Sequence, residues 1–560
     1  MICDQITRRE RTCDICIVGA GPVGIALALE FERLGRNVVV LESGSAQPSA
    51  ELAEASRAAI ADPKRHAPMA LAVVRAFGGT SWAWGGRCVA FDDIDFQERP
   101  YVPHSGWPID HDEVRPWYAR ASEYLLCGSA EFAAPPRRLG ALGDSVSVSC
   151  LERWSTEPQL ARVHRARIEQ SERIAVWLNS TVVDLGLGAK GRSVETVLVR
   201  TPTGETTIQA GEVILAAGGI ETTRLLLALQ QKHPNLFGGV DGPLGRFYMG
   251  HISGKIAHIV FNDPAAVTDL DFELDGTGTY VRRRFTFTEA AQKENGLLNT
   301  CFFPDNPPFH DPRHGSSVLS SVFLALATPP IGRRILPEPI RLAHVGPKPH
   351  DYSSHLRNIV LDAPRGAHDL LRVLHDKFLT KPRKPGFLLR NRDGRYALHY
   401  HAEQEPNPES RVVLSDGNDS FGLRRVAIDL RFTEGDAASV VRAHRVLDSA
   451  LRSRGVGHLV YWYPQNELQS AVMAQASDGF HQVGTTRMGH DPTCSVVDSN
   501  LKTHDVDNLH IASSSVFPTT GQANSTYLAV ALAVRLAHHL SIASPGATIF
   551  ATEAGQHASR

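Results

Sequence analysis

The run Cys13-Asp-Ile-Cys-Ile-Val-Gly19-Ala-Gly21-Pro-Val-Gly24 drives an apolar strand into three glycines at G-x-G-x-x-G spacing. Behind it, residues 25–34 have the apolar face of a helix that closes at Gly35, and residues 37–41 form a second apolar strand ending in Glu42. Strand, glycine turn, helix, strand and acid in this order predict a dinucleotide-binding βαβ unit. Gly19 permits the tight turn, Gly21 lets the main chain approach a pyrophosphate, and Gly24 lets the helix pack closely on the strand. The helix amino terminus offers free N–H groups to phosphates, and Glu42 offers a carboxylate to a ribose. The motif alone does not choose between NAD and FAD.

A chain of 560 residues is too long for one average domain of about 150. The last sixty residues return to nucleotide-fold texture, with a strand at 508–512, a Ser/Pro/Thr/Gly loop, and a helix over 525–540. The first and last segments are therefore expected to share one sheet. Between them, residues 256–261 and 280–287 alternate as strands of a half-exposed antiparallel sheet. Residues 50–76 have helix-forming composition. Residues 331–395 are Pro-rich and carry 14 Lys and Arg against 6 Asp and Glu, a net of +8 read as a solvated helical insertion or a docking face.

Charge excludes some partners. The 58 Lys and Arg against 60 Asp and Glu leave no basic excess for nucleic acid. No stretch approaches the ~20 apolar residues of a membrane span. Residues 1–11 are polar and lack a cleavage site, Arg8-Arg9 resembles a twin-arginine fragment without its own apolar run, and a cytoplasmic location is expected. Eight cysteines are too few for a disulfide scaffold. Cys13 and Cys16 sit three apart on a strand, pointing to opposite faces, which predicts core packing rather than a redox pair. No His, Cys or Asp cluster has metal-ligand spacing.

Four blocks together resemble the glucose-methanol-choline (GMC) family of FAD-dependent oxidoreductases, and are most similar to its pyranose-oxidase-like and bacterial sugar and glycoside dehydrogenase branches. They are the amino-terminal glycine motif with Glu42, the loop Gly78-Gly-Thr-Ser-Trp-Ala-Trp-Gly-Gly86, the segment Val213-Ile-Leu-Ala-Ala-Gly-Gly-Ile-Glu221, and residues 481–540. The resemblance implies FAD as cofactor, with Gly19, Gly21 and Gly24 at the pyrophosphate, Glu42 at the ribose and Val183 beside the adenine. It places Gly79, Thr80, Ser81, Trp84, Gly85 and Gly86 along the isoalloxazine, and Ser525 and Thr526 at the amino terminus of the last helix. Ala83 stands where some relatives carry a flavin-linking histidine, so noncovalent FAD is expected. Trp84 stands where many alcohol-oxidising relatives have asparagine, which favours the sugar branch.

His481-Gln-Val-Gly-Thr-Thr-Arg-Met-Gly489 and Gly521-Gln-Ala-Asn524 match the family's two active-site positions. His481 is expected to take the hydroxyl proton of a CH–OH group as hydride passes to flavin N5, because an imidazole titrates near working pH. Asn524 cannot do acid–base work and is expected to position the substrate oxygen. His399 and His401 share one face of a strand, and His401, Glu403, Gln404 and Glu405 are candidates for substrate contact. His251 is a further candidate near the site.

The fold expected is α/β: a discontinuous Rossmann-like FAD-binding domain over 1–255 and 475–560, with an irregular insertion near 90–150. An antiparallel-sheet-plus-helices substrate domain spans 256–474. The function expected is oxidation of a secondary alcohol of a sugar, glycoside or polyol, with oxygen, a quinone or an electron-transfer protein as acceptor; an oligomer is possible. Alternatives are natural-product tailoring, a lyase with redox-silent FAD, and an NAD(P)H-fed flavin hydroxylase.

Overall fold

In a computed structural model, residues 1–4 and 10–543 are described; Arg8-Arg9 and residues 544–560 lie outside them. The strand Glu10–Val18 is central in an eight-stranded sheet. Val38–Leu41 pairs parallel to one side of it and Gly204–Leu215 parallel to the other. Its apolar residues therefore face packed layers on both sides, which is why the run is nearly continuous rather than alternating. Beyond Val38–Leu41, Ile174–Trp177 and then Ile2–Cys3 complete that edge in parallel.

Gly204–Leu215 serves two partners. Its first half pairs antiparallel with Val194–Thr201, and its last three residues pair parallel with Leu509–Ile511. A strand from the end of the chain thus lies beside one that also flanks the amino-terminal strand. The helices Pro22–Arg33 and Ser525–Ala543 pack on each other against this sheet. The carboxyl ends Val18, Leu41, Leu215 and Ile511 come together at one edge, where open α/β sheets bind ligands.

The second large sheet is antiparallel, in the order Thr300–Asp305, Arg395–Glu403, His251–Phe261, Gly457–Tyr461. Its strand His251–Phe261 begins before the expected boundary at 255. The helices Glu434–Ser453 and Leu468–Gln475 cover it with an apolar layer of Ile256, Ile259, Leu398, Val440 and Leu447. The helical insertion starts earlier than expected, at Ser317–Ala327, and continues through Pro329–Ile335, Glu338–Val345 and the long helix Tyr352–Phe378.

Two other local expectations differ. Residues 50–76 form only the short helices Ala50–Ala55 and Met69–Ala72 with the strand Ala59–Ile60 between them, which joins a small sheet with Arg424–Asp429. The expected strand over 280–287 is two, Tyr280–Arg283 and Thr286–Phe287. Cys13 and Cys16 are free and buried. Contrary to the opposite-face expectation they interact, and a hydrogen bond with Cys13, together with burial, pushes the Cys16 thiol well above its usual range.

Candidate active site

The edge where the parallel strands end is a cleft walled by Gly19, Gly21, Glu42, Gly79, Ser525 and Thr526, among others. A Cβ on Gly24 would come within 1.9 Å of the Gly19 carbonyl oxygen, so helix and strand touch there. A Cβ on Gly21 would meet nothing nearer than the Gly79 Cα, at 3.9 Å. At Gly21 the missing side chain thus leaves open space over the cleft, and at Gly24 it removes a clash. Glu42 is buried, its Oε2 accepting from the Ala20 N–H at 2.8 Å and its Oε1 from the Gly44 N–H at 2.7 Å. Burial raises its pKa, against the pull of those two N–H groups. Each oxygen keeps a lone pair for a further donor.

Thr80 also lines the cleft, whereas several residues expected there do other work. Thr181 and Val182, just before Val183 on that strand, line the cleft, and Val183 itself does not. Ser81 donates from its Oγ to the Gly78 carbonyl, and Trp84 donates from Nε1 to the Pro158 carbonyl at 2.7 Å. Gly85 and Gly86 face Ile340 and the Ser155–Pro158 turn. Gln482 and Phe480, next to His481, were not foreseen and line the cleft. Gln482 Oε1 accepts from the Ile220 N–H at 3.0 Å and so ties the histidine segment to the helix Gly219–Lys232.

His481 is held at both ring nitrogens. Its Nδ1 donates to Asp478 Oδ2 at 2.9 Å, and its Nε2 accepts from Asn524 Nδ2 at 2.8 Å. Asp478 Oδ1 also accepts the main-chain N–H groups of Phe480 and His481, a local turn spanning Asp478-Gly-Phe-His481. Asp478 is buried, while the His481 ring is 19% exposed. Burial alone would raise the Asp478 carboxyl, but the His481 and His251 imidazoles outweigh it and hold the group well below its usual range. An ionised Asp478 fixes the proton on His481 Nδ1 and leaves a lone pair on Nε2. With Nε2 accepting, the Asn524 amide presents its N–H₂ to the ring and keeps Oδ1 free, and that Oδ1 is buried without a hydrogen-bond partner.

Two more imidazoles join this pair. His251 stacks on His401 with ring centres 4.4 Å apart and meets His481 edge-on at 4.5 Å. The sheet register explains the stack, since His251 pairs with Glu403 and Ser253 with His401. His401 Nδ1 lies 2.5 Å from Ser253 Oγ, and its Nε2 is buried without a partner. Burial, reinforced by neighbouring imidazoles, lowers both His251 and His401, so each is neutral. His399 instead stacks on Phe303, and burial pushes it down to about 3. His251, Asp478 and His481 place ligand atoms within 4.8 Å of one another, a metal-like grouping that linear spacing concealed. The Asp478 Oδ2 in that group already accepts the His481 ring and the His251 main-chain N–H at 2.6 Å.

The other candidates for substrate contact are engaged elsewhere. Glu403 forms a fully buried two-bond pair with Arg99, at 2.6 and 2.7 Å. Gln404 spends its side chain on the Gly250 N–H and the Arg431 carbonyl. Glu405 accepts from the Thr433 hydroxyl at 3.1 Å, beside the start of the helix Glu434–Ser453. Each was plausible on the strand end, but the groups that satisfy them come from segments distant in sequence.

Comparison with known proteins now bears on this site. The family model for FAD dependent oxidoreductases matches residues 14–305, more than half of the chain, and the GMC oxidoreductase model matches residues 406–533. The chain belongs to the GMC family of FAD-dependent oxidoreductases. It is 35% identical to the fructose dehydrogenase large subunit of Gluconobacter japonicus over 147 residues, which is 25% of this chain and 24% of that one. That match spans only about a quarter of the relative's length. A 2-methyl-1,2-propanediol dehydrogenase of Mycolicibacterium austroafricanum is 23% identical over 94% of this chain and 95% of its own. The crystal structure of a formate oxidase has the same fold, with a TM-score of 0.53 at 14% identity over 96% of this chain and 99% of its own.

GMC enzymes bind FAD, and the cleft fits it on its own geometry. The open position over Gly21, the spare lone pairs of buried Glu42 and the start of the helix Ser525–Ala543 offer what a dinucleotide requires. Among the described residues no helix is long and apolar enough to cross a membrane.

Proposed function

We propose that this GMC protein oxidises a secondary CH–OH group of a sugar, glycoside or polyol, with His481 as the base and Asn524 as the positioning group. The reading rests on a single observation: His481 bonds through Nδ1 to Asp478 and turns its Nε2 lone pair to Asn524, beside the cleft that fits the cofactor. Bound FAD supplies the two-electron acceptor for the hydride.

The chain's own work is then to bind, orient and deprotonate. A substrate hydroxyl placed between Nε2 and the Asn524 amide donates its proton to the imidazole, and the resulting imidazolium is stabilised by buried Asp478. Asn524 Oδ1, which has no partner otherwise, accepts from a neighbouring hydroxyl, so a vicinal diol is held by two bonds rather than one. The neutral His251 and His401 complete a polar wall that carries no competing positive charge beside the base. Residues for FAD are Gly19, Gly21, Glu42, Gly79, Thr80, Ser525 and Thr526, and Ala83 provides no nucleophile for a covalent link. The fructose in the name of one relative is a sugar with secondary hydroxyls and agrees with this substrate class.

Anaerobic mixing of the yellow protein with a panel of sugars, glycosides and aminocyclitols tests the proposal. Bleaching by at least one of them is expected. Cleavage of a substrate without bleaching would assign a lyase instead.

A further inference from the structure

We propose that the helix Tyr352–Phe378 docks this protein on an anionic lipid bilayer. The inference goes beyond the oxidoreductase reading and does not depend on it. The helix buries one face against the rest of the insertion: His355 and Gly366 are buried, and a Cβ on Gly366 would come within 2.0 Å of Ser317 Oγ. At 100° per residue, Leu356, Val360, Leu371, Leu374 and Phe378 fall within about 60° of one another on a different face. That face lies open, with Val360 75%, Leu371 67% and Phe378 50% exposed.

From Leu356 to Phe378 the stripe runs about 33 Å along the helix, far more apolar surface in one line than scattered exposed leucines provide. Arg357, Arg365 and Arg372 are exposed too: Arg357 stands about 40° beyond the stripe's edge, and Arg372 and Arg365 about 100–120° beyond it, at the far side of the open surface. An exposed apolar stripe with arginines on the remaining open surface is the pattern of a helix that lies in the plane of a membrane interface.

Charge chooses the occupant. Residues 331–395 carry a net +8, so a second copy related by two-fold symmetry would bring two net-positive segments together. An anionic headgroup layer complements that positive charge. The structure beneath agrees, because a cavity of about 430 Å³ lies under the helix. Leu374 and Phe378 both line this cavity and stand exposed on the stripe, so the cavity opens where the bilayer would lie. Its far wall includes Phe303, which stacks on His399 two residues from His401.

The test is sedimentation of the full chain with vesicles of phosphatidylcholine alone and of phosphatidylcholine mixed with phosphatidylglycerol. Binding to the anionic vesicles is expected, weakened when salt is raised to about 1 M, where charges are screened beyond ~3 Å. The double variant Leu371→Glu, Phe378→Glu should lose binding by at least ~10-fold while keeping its melting temperature, since both residues are exposed. The triple variant Arg357→Gln, Arg365→Gln, Arg372→Gln should lose the preference for anionic lipid. No binding by the intact protein, or equal binding by the glutamate variant, overturns the proposal. So does a dimer in light scattering that the glutamate substitutions dissociate, because the stripe would then belong to a second copy.

Discussion

His481 Nε2 lies 2.8 Å from Asn524 Nδ2, although 43 positions separate the two residues. The contact depends on the loop before the last helix. Trp107 Nε1 donates to Thr519 Oγ1 at 2.8 Å, Thr519 donates to the Asp95 carbonyl, and Gln522 donates to Asp92 at 3.0 Å. Asn524 is thus set by side chains of the 92–107 region, while His481 is set by Asp478 three residues away. The two side chains are positioned by different neighbours, on segments that main-chain bonds from Thr486 to Ser515 and from Met488 to Val516 also hold together.

Asp478 acts through His481, so its loss should spare binding and slow chemistry. In Asp478→Asn the amide no longer fixes the proton on Nδ1, and Nε2 ceases to be a reliable base. The rate of flavin reduction by substrate should fall by ~10²–10⁴-fold with cofactor content unchanged. Stopped-flow absorbance checks this, and a fall smaller than about 3-fold would contradict the assigned role.

Gly21→Ala and Gly24→Ala should fail differently. The first adds a methyl over open cleft, 3.9 Å from its nearest neighbour, and the second drives one to 1.9 Å from a carbonyl oxygen. Gly21→Ala should therefore fold with an ordinary melting temperature and lose FAD. Gly24→Ala should lose ~1–3 kcal/mol of stability or more, as overpacked sites do. Calorimetry with flavin absorbance separates the two outcomes.

Much of this was legible because it is local. A strand, three glycines, a helix and an acid lie within 33 residues, and Asp478 is three residues from His481, a spacing that could have flagged it. What was hidden depends on sheet register and long-range pairing. The stack of His251 on His401 exists only because the strands His251–Phe261 and Arg395–Glu403 pair in one particular register. Glu403 looks like a substrate ligand until Arg99, 304 positions earlier, is brought against it. Residues 50–76 have helical composition, yet the chain there is drawn into the small sheet with Arg424–Asp429.

The Arg99–Glu403 pair is fully buried, so breaking it should cost stability rather than substrate affinity. Glu403→Gln leaves a buried guanidinium without its charge partner and should destabilise by ~3–5 kcal/mol. Urea unfolding measures the loss, and KM for the best substrate should not move. A raised KM at unchanged stability would return Glu403 to the substrate site.

Asp436 provides a pH signature in the folded state. Burial pushes its carboxyl from 3.8 up to about 7, against the N–H groups of Glu405 and Thr433 that pull it down. The folded state therefore holds this proton more tightly than the unfolded one. Its contribution to stability is full below about pH 4 and is lost as pH rises through about 7, at up to ~1.4 kcal/mol per pH unit. Thermal melts of the wild type and Asp436→Asn across that window should show the wild type losing ground as pH rises. A constant difference would contradict the linkage.

The central claim is that His481 is the base for alcohol oxidation, and anaerobic flavin reduction in His481→Ala measures it most directly. With the substrate that bleaches the wild type, the variant should keep its FAD and reduce it at least ~10²-fold more slowly. Undiminished bleaching in the variant would contradict the account.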